Sequence, residues 1–238
     1  KNCKISGSPL NDLPNLKKLG DSCFENNYIT SVTLPASIEK IGSYVFADNE
    51  ITSADLTNLP NAIVDVEYGK LAHGIPRGLF ANQSSNSNGR KQKNKLTSIT
   101  LPNNIDTIGR DAFSGNSISQ LEIPANITKI MMGAFEDNKT LADVTFHDNI
   151  TEIGNSAFKN CSIYKESFAL PKKLTTLGEG AFRNNKINKV IFPDDIVKIG
   201  AWAFAGNPVT EVVWGKFDKV DSVAEYRYTT YKTGKVIP

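Results

Sequence analysis

Glu122 and Asp143 are the two residues of this chain that come nearest to a catalytic arrangement. Paired carboxylates do hydrolytic work when one protonates a leaving group and the other attacks or activates water. That work needs a cleft holding them about 5–9.5 Å apart. Here the acids sit in the similar stretches "SQLEIP" and "ADVTFH", both at outward positions of a short strand, where ordinary solvated side chains are expected. The two histidines, His73 and His147, stand far apart, and no HExxH, GxSxG, P-loop or GxGxxG surrounds them. Cys3, Cys23 and Cys161 are too widely spaced for a CxxC metal site or a disulfide framework. The Asn-x-Ser/Thr sequons at Asn82, Asn126, Asn138, Asn149 and Asn160 would matter only in a eukaryotic secretory host. The chain therefore reads as a binding protein rather than an enzyme, with no metal or cofactor expected.

Composition narrows the class further. A chain of 238 residues with 39% hydrophobic content can bury a sizeable core, and a net charge of +2 exerts no global pull on nucleic acid or an acidic membrane. No apolar run approaches the roughly 18–20 residues of a membrane span. Lys1 opens in the middle of a repeat, so the chain is expected to be a piece of a longer one.

The elements that position every outward residue come from that repeat. "IEKIGSYVFADNEI" at 38–51 returns as "IDTIGRDAFSGNSI" at 105–118, "LTTLGEGAFRNNKI" at 174–187 and "IVKIGAWAFAGNPV" at 196–209. The unit reads I-x-x-I-G-x-x-A-F-x-x-N-x-I-x-x-V-x-L-P with a period of 22 to 24 residues, set by Phe113, Phe135, Phe158, Phe182 and Phe204. No unit of that size buries its apolar face alone, so neighbours must stack into one continuous core. In "ITSVTLP" the alternation points Val32 and Leu34 inward and Ser31 and Thr33 outward, and Pro35 ends the strand. The recurring glycines (Gly42, Gly109, Gly154, Gly178, Gly200) are expected to serve a tight turn with a demanding backbone angle. The asparagine three places after each Phe (Asn27, Asn49, Asn116, Asn138, Asn185, Asn207) has an amide able to bond to both neighbouring coils. Cys161 takes that ladder slot, Cys3 takes it in an incomplete first coil, and Cys23 takes the small slot before Phe24. All three thiols are expected to be buried and free of disulfides.

The LxxIxLP strand, the "IGxxAF" turn and the Asn/Cys slot together resemble the BspA-like (Treponema pallidum-type) leucine-rich repeats of bacterial surface proteins. The resemblance covers about residues 1–215. It implies a mainly β, curved, right-handed solenoid of eight or nine coils, with one short parallel strand per coil and irregular turns behind. It also implies an extracellular or cell-surface location in bacteria and a role in adhesion to a host or matrix protein, with a monomer favoured. A passive spacer within a larger surface protein is the alternative.

The rhythm breaks at about 57–95, where "IPRGLF" keeps a degenerate repeat between two inserts. "NAIVDVEYG" alternates and predicts an added strand or hairpin. "NQSSNSNGRKQKNK" at 82–95 is polar, carries Arg90, Lys91, Lys93 and Lys95 without an acid, and predicts a surface loop that is either a solvated insertion or a basic finger meeting an anionic partner. Residues 216–238 lack the landmarks and are expected to be a C-terminal cap or the start of a linker. Outward strand positions then supply the binding candidates: Thr100, Gln120, Glu122, Asp143, Thr145, Ile191 and Val213, together with Arg90, Lys91 and Lys93 of the loop. Ile191 and Val213 either form an exposed apolar contact site or lie under the cap.

Overall fold

The computed structural model describes residues 4–82, 93–215 and 222–223. Within them the chain winds into a solenoid of short parallel strands and turns, and no helix occurs among the described residues. One phenylalanine per coil defines the axis. Phe24, Phe46, Phe80, Phe113, Phe135, Phe158, Phe182 and Phe204, numbered here as coils 1 to 8, stack with centroids 5.3–5.9 Å apart and interplanar angles of 2–18°. Phe46 through Phe182 are wholly buried. Each such burial stabilises by about 1.5–3 kcal/mol, and each offset ring pair adds about 0.5–1.5 kcal/mol.

Two faces flank this axis. On the I-x-x-I side the coils from the third onward join one sheet of eight strands, running from Ser222–Val223 through Lys198–Ile199, Thr176–Leu177, Glu152–Ile153, Lys129–Ile130 and Thr107–Ile108 to the inserted hairpin, while Lys18–Leu19 and Lys40–Ile41 of coils 1 and 2 pair as a separate two-stranded sheet. On the L-x-x-V-x-L-P side the sequence suggests a continuous sheet, and the structure corrects this. That face is three separate sheets: Ser31–Thr33 with Ser53–Asp55, Gln120–Glu122 with Asp143–Thr145, and Phe168–Ala169 with Lys189–Ile191 and Glu211–Val213. The breaks fall where coil length changes, at the inserts of coil 3 and at the longer spacing from Phe158 to Phe182.

The repeated glycine has a different reason from the one expected. Gly154 and Gly178 have unexceptional φ. A Cβ on Gly154 would lie 2.6 Å from the backbone nitrogen of Met132, and one on Gly178 would lie 2.3 Å from that of Asn155. The slot is glycine because successive coils touch there backbone to backbone. The left-handed backbone falls two residues later, at Tyr44, Asp111, Ser156 and Trp202 with φ of 54–57°, and at Gly78, Gly133 and Gly180 in coils 3, 5 and 7. A non-glycine residue there carries strain that the stacked neighbours must hold in place.

The ladder stands as read, with one more rung. Asn138 donates from Nδ2 to the carbonyls of Phe113 (2.9 Å) and Phe135 (3.0 Å), and its Oδ1 accepts from the Ile118 N–H (3.2 Å). Asn94, inside the stretch read as a polar loop, does the same work for coil 3. Its Nδ2 donates to Phe46 and Phe80 carbonyls, its Oδ1 accepts from Ile51 N–H, and it is 1% exposed. Asn82 clamps the base of the insert, accepting from the Asn94 N–H (2.6 Å) and donating to the carbonyls of Asn94 and Gly115. Asn82 and Asn94 therefore belong to the scaffold, and residues 83–92 between them lie outside the described ones.

The cysteines divide. Cys161 is buried in the ladder, its thiol donates to the Phe135 carbonyl (3.4 Å), and desolvation pushes its pKa up to about 12. Cys23 is exposed, which corrects the expectation that it is buried. Phe24 is the first ring of the described stack, and no described coil covers the outer side of Cys23. Desolvation raises the Cys23 thiol as well, so access decides reactivity. Cys3 lies outside the described residues. In native protein an aromatic disulfide reagent should modify Cys23 readily and leave Cys161 unmodified for hours, as read by peptide mass mapping. Equal labelling of both would remove Cys161 from the ladder.

The first insert forms the hairpin that its alternation suggests. Ile63–Glu67 pairs antiparallel with Lys70–Ile75, and Gly74–Ile75 continues parallel to Thr107–Ile108. Val64 and Val66 point into the core, while Ile63 and Leu71 are exposed. Guanidiniums pin its tip: Arg77 lies 4.4 Å from the Tyr68 ring centroid and 5.1 Å from that of Tyr44, and Arg110 lies 4.7 Å from that of Tyr68. Arg77 also pairs with Asp65 at 3.3 Å. Of the expected C-terminal cap, only Ser222–Val223 is described, and its backbone pairs with Lys198–Ile199.

Candidate recognition surface

The short strands of the broken face alternate inward and outward side chains, which sets the candidate row. Leu121 and Ile123 point into the core, leaving Gln120 and Glu122 exposed. Parallel register places Gln120 opposite Asp143 and Glu122 opposite Thr145. Glu122 and Asp143 are thus offset along the sheet rather than facing, and neither lines either of the two clefts described below. The Asp143 carboxylate is ion-paired with Lys165 from the next coil.

Further along, Lys189 pairs with Glu211 at 2.9 Å, and Ile191 stands opposite Val213, both half-buried. Of the basic loop, Lys93 is exposed at the returning end, while Arg90 and Lys91 lie outside the described residues. Thr100 is exposed too, in a stretch with no strand partner, separated from the Gln120 group by a break in the sheet. The structure therefore brings together Gln120, Glu122, Asp143 and Thr145 as one patch, and Ile191 with Val213 as another.

Among the described residues two clefts are found on this face, each at a break in the sheet. The larger, about 750 Å³, separates Ala54, Asp55 and Thr57 of coil 2 from Thr100, Asn103 and Asn104 of coil 3. The smaller, about 350 Å³, separates the Val144–Phe146 stretch from Phe168 and its neighbours. Among the described residues Asp55 is the sole charged one lining the larger cleft, and its side chain accepts from the Thr57 N–H (2.9 Å). Bonding to Thr57 holds its carboxyl below the usual range, so it is ionised at neutral pH. In the smaller cleft Asp148 pairs with Lys172 at 2.6 Å, and that bond likewise lowers the Asp148 pKa.

No motif announces these clefts, because they arise from pairing that fails to form. The only sequence signal is the change of period at the inserts. Asn94 did carry a signal: it precedes Leu96 by two, as Asn116 precedes Ile118.

Comparison with known proteins agrees with this architecture. The chain matches the BspA type leucine rich repeat region in six copies, over residues 1–68 and 86–211. A leucine-rich repeat protein from Bacteroides ovatus ATCC 8483 superposes with a TM-score of 0.56 at 20% identity. The match covers 85% of this chain and 56% of that one, so this chain spans about half of that protein. A leucine rich cell surface protein from Faecalibacterium prausnitzii A2-165 matches with a TM-score of 0.33 at 16% identity, over 88% of this chain and 87% of that one. The pneumococcal vaccine antigen PcpA matches with a TM-score of 0.41 at 15% identity, over 88% and 60%. No match was found among curated proteins. With ring stack, asparagine ladder and repeat match coinciding along most of its length, this chain belongs to the BspA-type leucine-rich repeat family.

Proposed function

We propose that this chain is a recognition module of a bacterial cell-surface or secreted protein and binds a host or matrix protein. The observation that carries the reading is a division of labour. Ring, ladder and glycine contacts all lie inside the solenoid, while Gln120, Glu122 and Thr145 face solvent and are not needed to build it. Membership in a family of surface repeats supports the location. Lys93, with Arg90 and Lys91 of the same insert, adds a basic element that would speed encounter with an acidic partner. The module is expected to act as a monomer.

The test is binding to a panel of immobilised extracellular-matrix proteins. Glu122→Ala/Asp143→Ala should weaken the best binder at least about tenfold, or about 1.4 kcal/mol, at unchanged melting temperature. Replacing Arg90, Lys91 and Lys93 by serine should slow association, most visibly below about 0.1 M salt, where the Debye length exceeds roughly 10 Å. If both variants bind as the parent does, the proposed surface is wrong. A second reading, a passive spacer, is favoured by the ion pairs Lys165–Asp143 and Lys189–Glu211, which tie coil to coil along the same row. It predicts no binding to any member of the panel.

A further inference from the structure

The opening between coils 2 and 3 is bracketed rather than frayed. On one side the coils are locked: Phe46 N–H donates to Leu79 (3.0 Å), Asp48 N–H to Ala81 (2.9 Å), and Lys95 N–H to Ile51 (2.7 Å). On the other, Asn104 Nδ2 donates to the Leu59 carbonyl (2.8 Å). Between these brackets the strand Ser53–Asp55 pairs only with Ser31–Thr33, and residues 98–100 form no strand, so two backbone edges confront each other across an open cleft.

Edges left open in a parallel sheet are templates for an added strand. The open edge Ser53–Asp55 spans about 10 Å, enough to register roughly three residues of a guest. The walls discriminate among guests. Among the described residues no aromatic ring lines the cleft, so a sugar finds no platform there to stack on, and the one carboxylate among them repels anions. Hydroxyls and amides of Thr57, Thr100, Asn103 and Asn104 suit a peptide backbone, and Asp55 suits a cation beside it.

We propose that this cleft docks an extended peptide segment of a partner protein by strand addition, with a lysine or arginine of the segment set against Asp55. The inference rests on the recognition reading and gives that reading a second contact, separate from the Gln120 patch.

The probe is a mixture of capped, fluorescein-labelled heptapeptides with a fixed central lysine and Thr, Val, Ser and Ile elsewhere. Binding to the full chain is followed by fluorescence anisotropy. Saturable binding is expected below 1 mM. It should weaken at least tenfold when the peptide backbone is N-methylated on alternate residues, and at least fivefold with glutamate replacing the lysine. Asp55→Asn should remove the preference for lysine over glutamate, and Thr100→Trp, which fills the cleft from an exposed position, should abolish binding. Glu122→Ala/Asp143→Ala should leave it unchanged. No binding at 1 mM, or equal binding of the N-methylated mixture, overturns the proposal. If matrix proteins still bind in that case, the recognition reading survives and only the cleft assignment falls. If neither binds, both fall.

Discussion

Phe113→Ala lowers the free energy of unfolding by about 3–5 kcal/mol, the range for deleting a buried aromatic side chain. Phe113 is wholly buried and stacks on Phe80 at 5.9 Å and on Phe135 at 5.3 Å, so the substitution opens a gap in the middle of the axis. A solenoid has only nearest-neighbour contacts to absorb that gap, and coils 4 and 5 should loosen together. Phe24→Ala should cost clearly less, because Phe24 is half-buried and has one stacking neighbour among the described rings. Urea denaturation of both variants checks the pair. Equal losses would mean that the ring stack is not the continuous core described here.

Asn138→Leu should be nearly as costly, for a reason that volume does not capture. Leucine matches asparagine in shape but leaves the Ile118 N–H buried and unpaired, and it strips one bond each from the Phe113 and Phe135 carbonyls, which keep Asn116 Nδ2 and Cys161 Sγ as donors. The unmade Ile118 N–H costs about 1–3 kcal/mol and each lost carbonyl bond about 0.5–1.5 kcal/mol, so a loss on the order of 3 kcal/mol follows. Asn138→Cys should lose less, because Cys161 in the next coil shows that a thiol can keep the donor half of the rung, with Sγ 3.4 Å from the Phe135 carbonyl. If the leucine variant proves as stable as the cysteine variant, packing rather than hydrogen bonding holds the ladder slot. The comparison needs only two denaturation curves against the parent.

What could be read from the residues was what every coil repeats. Phe at a fixed spacing, Asn three places on and alternating Val and Leu before proline each state a local requirement that the next coil states again. The glycine slot was legible as a position but not as a cause. A need for small size looks the same in a sequence whether it comes from φ or from a neighbouring backbone, as at Gly178 against Asn155. Cys23 illustrates the converse: its slot is buried only where another coil covers it, and burial at an end of the stack is not a property of the repeat. Asn94 kept its spacing to Leu96 but lost the one to Phe, standing fourteen places after Phe80 where other coils use three. The cleft between Asp55 and Thr100 had no residue pattern to find, since it records a pairing that does not form between coils 2 and 3.

These cases share one physical basis. The side chains that fold the chain and those that face outward are different sets, and the inserts add to the outward set without interrupting the inner one. Coil 3 tests this most sharply, because it carries both inserts and still supplies Phe80 to the ring stack and Asn94 to the ladder. Native-state amide hydrogen exchange at the N–H groups bonded to ladder oxygens reads the continuity directly. Those of Ile51 and Leu96, held by Asn94 and Asn116, should be protected to the same free energy as those of Ile118 and Ile163, held by Asn138 and Asn185. Exchange at Ile51 and Leu96 faster by two orders of magnitude or more would contradict the account, dividing the solenoid at coil 3 into two independently opening halves.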